Sequence, residues 1–327
     1  MAYLELLQEM LTGFEDYYQQ VMNGDFSQVS YLEGHDEKYG TYDLHDTNRL
    51  KLAYYLRYCQ NAPENILIRL FQEECIQLET NDFQGIGETI KMLTALFSED
   101  HQELFDRAKN ANFDCYCGYE PEFFRRMSRN PADLTVEACL DIAYGTGERQ
   151  YAQQFLDIFT AEFHPKNRYD CSGLIWWNEQ FGRSQENETL FRKILEFSLD
   201  ENDPDEIISA RQDLCEFLIK QERFPEAYQE FLPLSEMDLS DWYGVNLFRF
   251  ILEDCLDLIN ADLPEAPTIW KWAKHHIKRE IKNRYGMYGD FYEKLILASQ
   301  KMNPRFVHQV QKYYKLWKKR NKIPETS

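Results

Sequence analysis

From Thr47 onward, apolar residues recur three and four apart in short blocks, and the links between the early blocks are only two to five residues long. Residues at that spacing share one face of an α-helix, so each block predicts an amphipathic helix. Links that short cannot carry a crossover and force sequence neighbours to lie antiparallel. Strand-like alternation is absent, and 14 Gly and 11 Pro in 327 residues leave few places to turn. The expectation is an all-α chain built as an α-solenoid of antiparallel helical hairpins.

The spacing predicts a first helix over 2–22, where Leu4, Leu7, Met10, Leu11, Phe14 and Tyr18 line one face. Helices then follow over 48–60, 64–79, 84–98 and 101–111. A second run covers 133–146, 148–163, 169–183, 186–199, 205–221 and 224–232, and a third 239–260, 267–284, 287–301 and 303–320. Residues 23–46 lose the period and carry Gly24, Gly34 and Gly40 among polar residues, so they read as a long loop. Residues 112–120 read as an irregular junction, after which Pro121 suits a helical first turn, where its missing N–H costs nothing. Three regions result: an N-terminal one over 1–120, a repeat region over 121–237, and C-terminal helices over 238–327.

Within 131–237 a pattern recurs 75 residues apart. Gly147 sits in a turn with Ala152 five positions later, and the segment from Leu214 to Phe231 places Ala227 at the position matching Ala152. An aromatic, Phe224, opens the second helix of that segment, and Phe231 follows after the small residue. This arrangement resembles a degenerate tetratricopeptide repeat, with Glu222 standing where the turn glycine belongs and Arg149 where an aromatic belongs. The resemblance implies a solenoid whose concave surface binds proteins or peptides.

Charge is divided unevenly. Residues 268–327 hold 15 Lys/Arg against 4 Asp/Glu, a net of +11, whereas the preceding 267 residues hold 21 against 52, a net of −31. The basic C-terminal stretch can neutralise part of the acidic body, cap the array, or meet an anionic partner. The acidic body itself suits a basic partner. Eight cysteines are spread evenly, mostly inside apolar blocks, and Glu5 and Glu9 stand where a signal peptide would need a basic region and an apolar run. A cytoplasmic protein with reduced thiols is expected, and no window is apolar enough for a membrane-spanning helix, so membrane insertion is not expected.

Chemistry-bearing patterns are sparse. Cys115-Tyr116-Cys117 offers two thiols but lacks the second pair that a zinc site needs. The 33–46 loop contains His35-Asp36 and His45-Asp46, a residue pair that metal-dependent hydrolases use, although Asp46 is more simply the N-cap of the next helix. Gly85-Ile86-Gly87 has no preceding strand and reads as a turn, and Asp200–Glu206 lacks the glycine and final glutamate of a calcium loop and reads as a connector with Asp203 or Asp205 as cap. No nucleophile motif or paired carboxylate stands out. No catalytic residue, metal site or cofactor is expected.

Aromatic residues are the stronger signal, 49 in all. Trp176 and Trp177 are adjacent and point about 100° apart on a helix, so one of them can line a binding groove while the other packs. Trp270, Trp272, Lys274, Lys278 and Arg279, with Lys318, Lys319 and Arg320, interleave rings and cations in the manner of nucleic-acid grooves. The sequence thus predicts a non-catalytic scaffold for a protein or peptide, acting as regulator, adaptor or immunity-type protein. The alternatives are a nucleic-acid binder working through the basic helices and a metal-dependent hydrolase working through the His-Asp loop.

Overall fold

A computed structural model describes residues 2–38, 40–82, 85–98, 101–239, 246–283 and 288–323. The chain divides into two compact units, Met1–Phe163 and His164–Ser327, and the 112–120 segment lies inside the first. Apart from one two-stranded hairpin, the regular elements of the described residues are helical. No helix among these residues is long and apolar enough to cross a membrane.

In the first unit, α1 (Ala2–Thr12) and α2 (Glu15–Met22) occupy the stretch expected to be one helix. Backbone N–H groups of Gly13 and Phe14 donate to Met10 and Leu11 at 3.1 and 2.9 Å, closing α1 in a tight turn. Phe14 stays buried, so the apolar period runs through the break and conceals it. Next come α3 (Asp46–Tyr58) and α4 (Glu64–Thr80), then short helices α5 (Glu88–Thr94), α6 (Gln102–Lys109), α7 (Phe113–Gly118) and α8 (Pro121–Arg125). The pair α9 (Val136–Gly145) and α10 (Arg149–Ala161) completes the unit. α1 packs on α3, α9 and α10, and α4 packs on α5 and α6. Phe71, Phe97 and Phe105 meet with ring centroids 5.7–5.8 Å apart, anchoring α4 and α6 at the core.

Four expectations are corrected here. The junction at 112–120 contains α7, started by Asn112, whose side chain accepts from Cys115 N at 2.8 Å. The loop over 23–46 contains a hairpin of β1 (Glu33–Asp36) and β2 (Gly40–Asp43), with Gly34 opposite Tyr42 and His35 opposite Thr41. Asp46 is the first residue of α3 rather than its cap, since His45 occupies the N-cap position. The expected helix over 84–98 shortens to α5, Leu239 is buried but outside any helix, and the expected boundaries at 84, 284 and 287 fall outside the described residues.

The hairpin has a chemical purpose within the unit, which is to deliver Asp43 to Arg49. The Arg49 guanidinium is fully buried and meets Asp43 at 2.5 Å and Glu74 at 2.9 Å, both carboxylates being buried as well. It also donates to the Val29 carbonyl at 3.1 Å and to the Gln77 side chain. Asp43 accepts from the backbone N–H groups of Leu32 and His45 at 3.0 and 2.9 Å. One cation therefore faces two buried carboxylates, with Asp46 close enough to raise Glu74 further. Burial, only partly offset by Arg49, pushes Glu74 up to about 7, so this carboxyl gives up its proton far later than an ordinary carboxylate.

The second unit contains α11 (Arg168–Gln180), α12 (Glu188–Glu201), α13 (Pro204–Lys220), α14 (Phe224–Glu236), α15 (Asn246–Asn260), α16 (Ala266–Asn283), α17 (Gly289–Met302) and α18 (Pro304–Arg320). Consecutive helices pack in pairs, α11 on α12, α13 on α14, α15 on α16 and α17 on α18. α13 also packs on α15, and α15 on α17. Asn167 and Asp203 start α11 and α13 by accepting from Asp170 N and Asp205 N, each at 3.0 Å, and Pro204 and Pro304 open α13 and α18.

Helix ends explain the short links. After α13, Glu222 adopts a left-handed φ of 57°, its N–H reaching Ile219 O and that of Arg223 reaching Leu218 O, both at 2.9 Å. After α9 the same closure is made by Gly147 at φ 76°, with Glu148 N reaching Ala143 O at 2.8 Å. Ala152 and Ala227, five positions beyond, are both fully buried, and Cys215 Sγ lies 3.4 Å from the Ala227 carbonyl. Glutamate therefore occupies a conformation that favours glycine. Replacing Glu222→Gly is expected to raise the stability of this unit by about 0.5–1 kcal/mol, read as a later denaturant midpoint at unchanged slope. An earlier midpoint would mean that the Glu222 side chain makes a contribution larger than its strain.

Candidate functional site

Helices α11, α12 and α13 of the second unit enclose a groove of about 600 Å³. Its apolar floor comes from Ile175 on α11, Phe191 and Ile194 on α12, and Phe217 on α13, with the Phe191 and Phe217 rings 5.2 Å apart. The link between α11 and α12 is held rigid by a buried amide pair, Asn178 Nδ2 donating to Asn187 Oδ1 at 2.8 Å while Asn187 Nδ2 reaches the Ile175 carbonyl at 3.4 Å. The groove thus stands on fixed walls. Among the described residues its polar rim carries Glu179, Asp213 and Glu216 against one cation, Lys220.

The carboxylates are tuned differently. Burial pushes Asp213 up to about 6, with Glu216 nearby adding to the rise. Burial also acts on Glu216, but hydrogen bonds from Lys220 and Gln212 outweigh it and hold this carboxyl below the ordinary value. Lys220 Nζ lies 2.6 Å from Glu216, and Gln212 Nε2 donates to Glu216 at 3.1 Å and to Asp254 at 3.2 Å. Asp254 on α15 is buried and pushed well above the carboxylate range by that burial. Gln212 therefore ties the groove wall to the next helical pair.

Trp176 is 46% exposed and shares the outer face of α11 with Ser172 and Glu179, two groove residues, whereas Trp177 is 3% exposed and packed inside. The helical 100° step separates them as their adjacency demands. Trp270 is buried with its ring 6.1 Å from Phe306, and Trp272 is half-buried between Phe231 at 5.3 Å and His276 at 4.4 Å. Lys274 is half-buried, Lys278 lies over the Phe306 ring at 5.6 Å, and Arg279 is exposed. Lys318 lies over the Tyr314 ring at 4.4 Å, and Lys319 and Arg320 are exposed. Trp270 thus packs inward, while Lys278 and Lys318 each lie over an aromatic ring.

His35 lies in β1, and His45 Nδ1 is 2.9 Å from the Ser30 carbonyl. Cys115 is buried with Sγ 3.5 Å from the Gly85 carbonyl, while Cys117 is exposed. Among the described residues no group of three or more His, Cys, Asp or Glu side chains converges as metal ligands would. Sequence reasoning missed Glu179, Asp213, Glu216 and Phe217. The last three sit at i, i+3 and i+4 on α13, a spacing that marks one helix face once that helix is assigned. Compared with known proteins, the chain matches no family, no curated sequence and no solved structure.

Proposed function

We propose that this chain is a non-catalytic, cytoplasmic scaffold of tetratricopeptide-like helical repeats that binds a basic peptide segment in the α11–α13 groove. The carrying observation is the groove itself, in which a rigid apolar floor lies beneath three carboxylates and one lysine. Such a site suits an apolar anchor flanked by Lys or Arg, the anchor supplying burial and the cations orientation. Trp176 on the same helix face offers a ring against which an arginine of the peptide can stack. The pairing of consecutive helices, with α13 on α15 and α15 on α17, supports the repeat reading.

Screening the full chain against an array of cationic, neutral and anionic peptides is expected to select cationic ones carrying an apolar residue. An Asp213→Asn, Glu179→Gln double variant should bind the selected peptide about tenfold more weakly, since each rim carboxylate contributes roughly 0.5–1 kcal/mol. Asp213 is charged above about 6 and neutral below it, so wild-type affinity falls as pH drops from 7 to 5, and the fall shrinks in Asp213→Asn. Selection blind to charge, or unchanged affinity in the double variant, would remove the groove as the binding site.

A further inference from the structure

The end of α18 carries a second and oppositely charged surface. Lys312, Lys315, Lys318, Lys319 and Lys322 line a concavity of about 560 Å³ together with Leu316 and Ile323, and among the described residues no carboxylate lines it. Lys312, Lys315 and Lys319 are spaced three and four apart on α18, so they run down one face, and Lys322 joins them from the turn that follows the helix. Leu316 on α18, 42% exposed, and Ile323 after its end, 40% exposed, line the same concavity.

The helix end is shaped to bring these two aliphatic side chains together. Lys322 takes a left-handed φ of 55°, a conformation that most helix ends give to glycine. Its N–H reaches Lys319 O at 3.4 Å and that of Ile323 reaches Lys318 O at 3.1 Å, so the chain folds back and places Ile323 beside the last turn. A lysine at the helix C-terminus also complements the helix dipole, but that effect is confined to the last turn and accounts for neither Lys312 nor two exposed aliphatics.

Rings decide what kind of anion fits. Tyr314 stacks on Tyr292 at 5.4 Å and 14°, and its hydroxyl donates to Glu293 at 2.6 Å. Trp317 packs on Tyr292 and Tyr314 at 6.2 and 6.0 Å and against Gly289, where a Cβ would meet it at 3.2 Å. These rings are spent on holding α18 to α17, whereas binding of single-stranded nucleic acid needs ring faces open to bases. What the outer face offers is long cationic side chains around exposed aliphatics. That combination suits a bilayer interface, where lysines reach the phosphates while Leu and Ile enter the acyl boundary.

We infer that the α18 face from Lys312 to Ile323 docks on the surface of an anionic phospholipid bilayer. The net charge of −20 does not forbid this, because at physiological salt charges farther than about 8 Å from the membrane are screened. The docking is peripheral, with no part of the chain crossing the bilayer.

Flotation of the full chain with phosphatidylcholine vesicles containing about one third phosphatidylserine tests it, alongside pure phosphatidylcholine vesicles and a single-stranded oligonucleotide. Binding is expected only to the anionic vesicles and should fall as salt rises. Replacing Lys312, Lys315, Lys319 and Lys322 by Ala is expected to reduce partitioning more than a hundredfold, at about fivefold per lysine. A Leu316→Asn, Ile323→Asn variant is expected to lose about tenfold while keeping the salt dependence, and since both residues are exposed its melting curve serves as the folding control. Absence of vesicle binding, binding untouched by the lysine replacements, or capture of the oligonucleotide alone would each overturn the inference. Peptide binding at the groove is read in a separate assay, so either result can fail without the other.

Discussion

An Arg49→Met variant is expected to lose about 3–5 kcal/mol of stability, because Asp43 and Glu74 would remain buried with no cation between them. The chain has two compact units, so the loss should be confined to one of two unfolding steps, read by differential scanning calorimetry or by hydrogen exchange within residues 1–163. Adding Asp43→Asn and Glu74→Gln to the same variant should recover much of the loss, since the buried carboxyls are then replaced by neutral amides that need no cation. A loss below about 1 kcal/mol would mean that water reaches the cluster and that the guanidinium is not its organising charge.

The second large effect is a pH dependence with an unusual sign for a carboxylate. Burial raises Glu74 from 4.5 in the unfolded chain to about 7 in the folded one, so folding binds a proton between those values. A raised folded value contributes stability that is complete below about 4.5 and is lost as pH rises through about 7. With the side chain fully buried, the swing is roughly 3 kcal/mol. Comparing denaturant midpoints of wild type and Glu74→Gln from pH 4.5 to 8 isolates it, because Asp141 and Asp213, raised in the same direction, titrate in both proteins. Parallel curves for the two proteins would place the proton elsewhere.

Helices were legible wherever an apolar period coincided with a start signal. The expected 205–221 and 303–320 are α13 and α18 to within one residue at each end, with Pro204 and Pro304 opening them. The period failed where it carried too much, as across Gly13 and Phe14, and where an element was too short to display one. β1 and β2 have four residues each, and their sequences, EGHD and GTYD, show no alternation of apolar and polar residues. They pair in a unit where Asp43 meets Arg49, and that partnership joins residues from β2, α3 and α4, which no local window contains. A loop that presents His35 and His45 to the eye is organised instead by its least conspicuous carboxylate.

The groove was hidden for the same reason. Asp213 and Glu216 are two of 56 acidic residues, and only the packing of α11, α12 and α13 distinguishes them from the rest. Trp176 and Trp177 could be separated in kind but not in assignment, because the helical step fixes the angle between them without saying which faces out. In the basic helices, order along the chain suggested that rings and cations act together. On a helix, neighbours in sequence diverge, so Trp270 turned inward while Lys271 stayed exposed.

The placement of α1 bears on how the chain is made. Tyr3 bonds the Leu134 carbonyl at 3.1 Å, Tyr151 bonds Glu9 at 3.2 Å, and α1 packs on α9 and α10, so these partners are some 130 to 140 residues apart. At a synthesis rate of about 5–20 residues per second, α1 waits roughly 7–30 s before its partners have been translated. During that interval Leu7, Met10 and Leu11, all buried in the finished unit, are without α9 and α10 to cover them. The neighbour-to-neighbour helical pairs of the second unit impose no comparable delay, so the nascent chain is most vulnerable to aggregation while its first unit is still being completed.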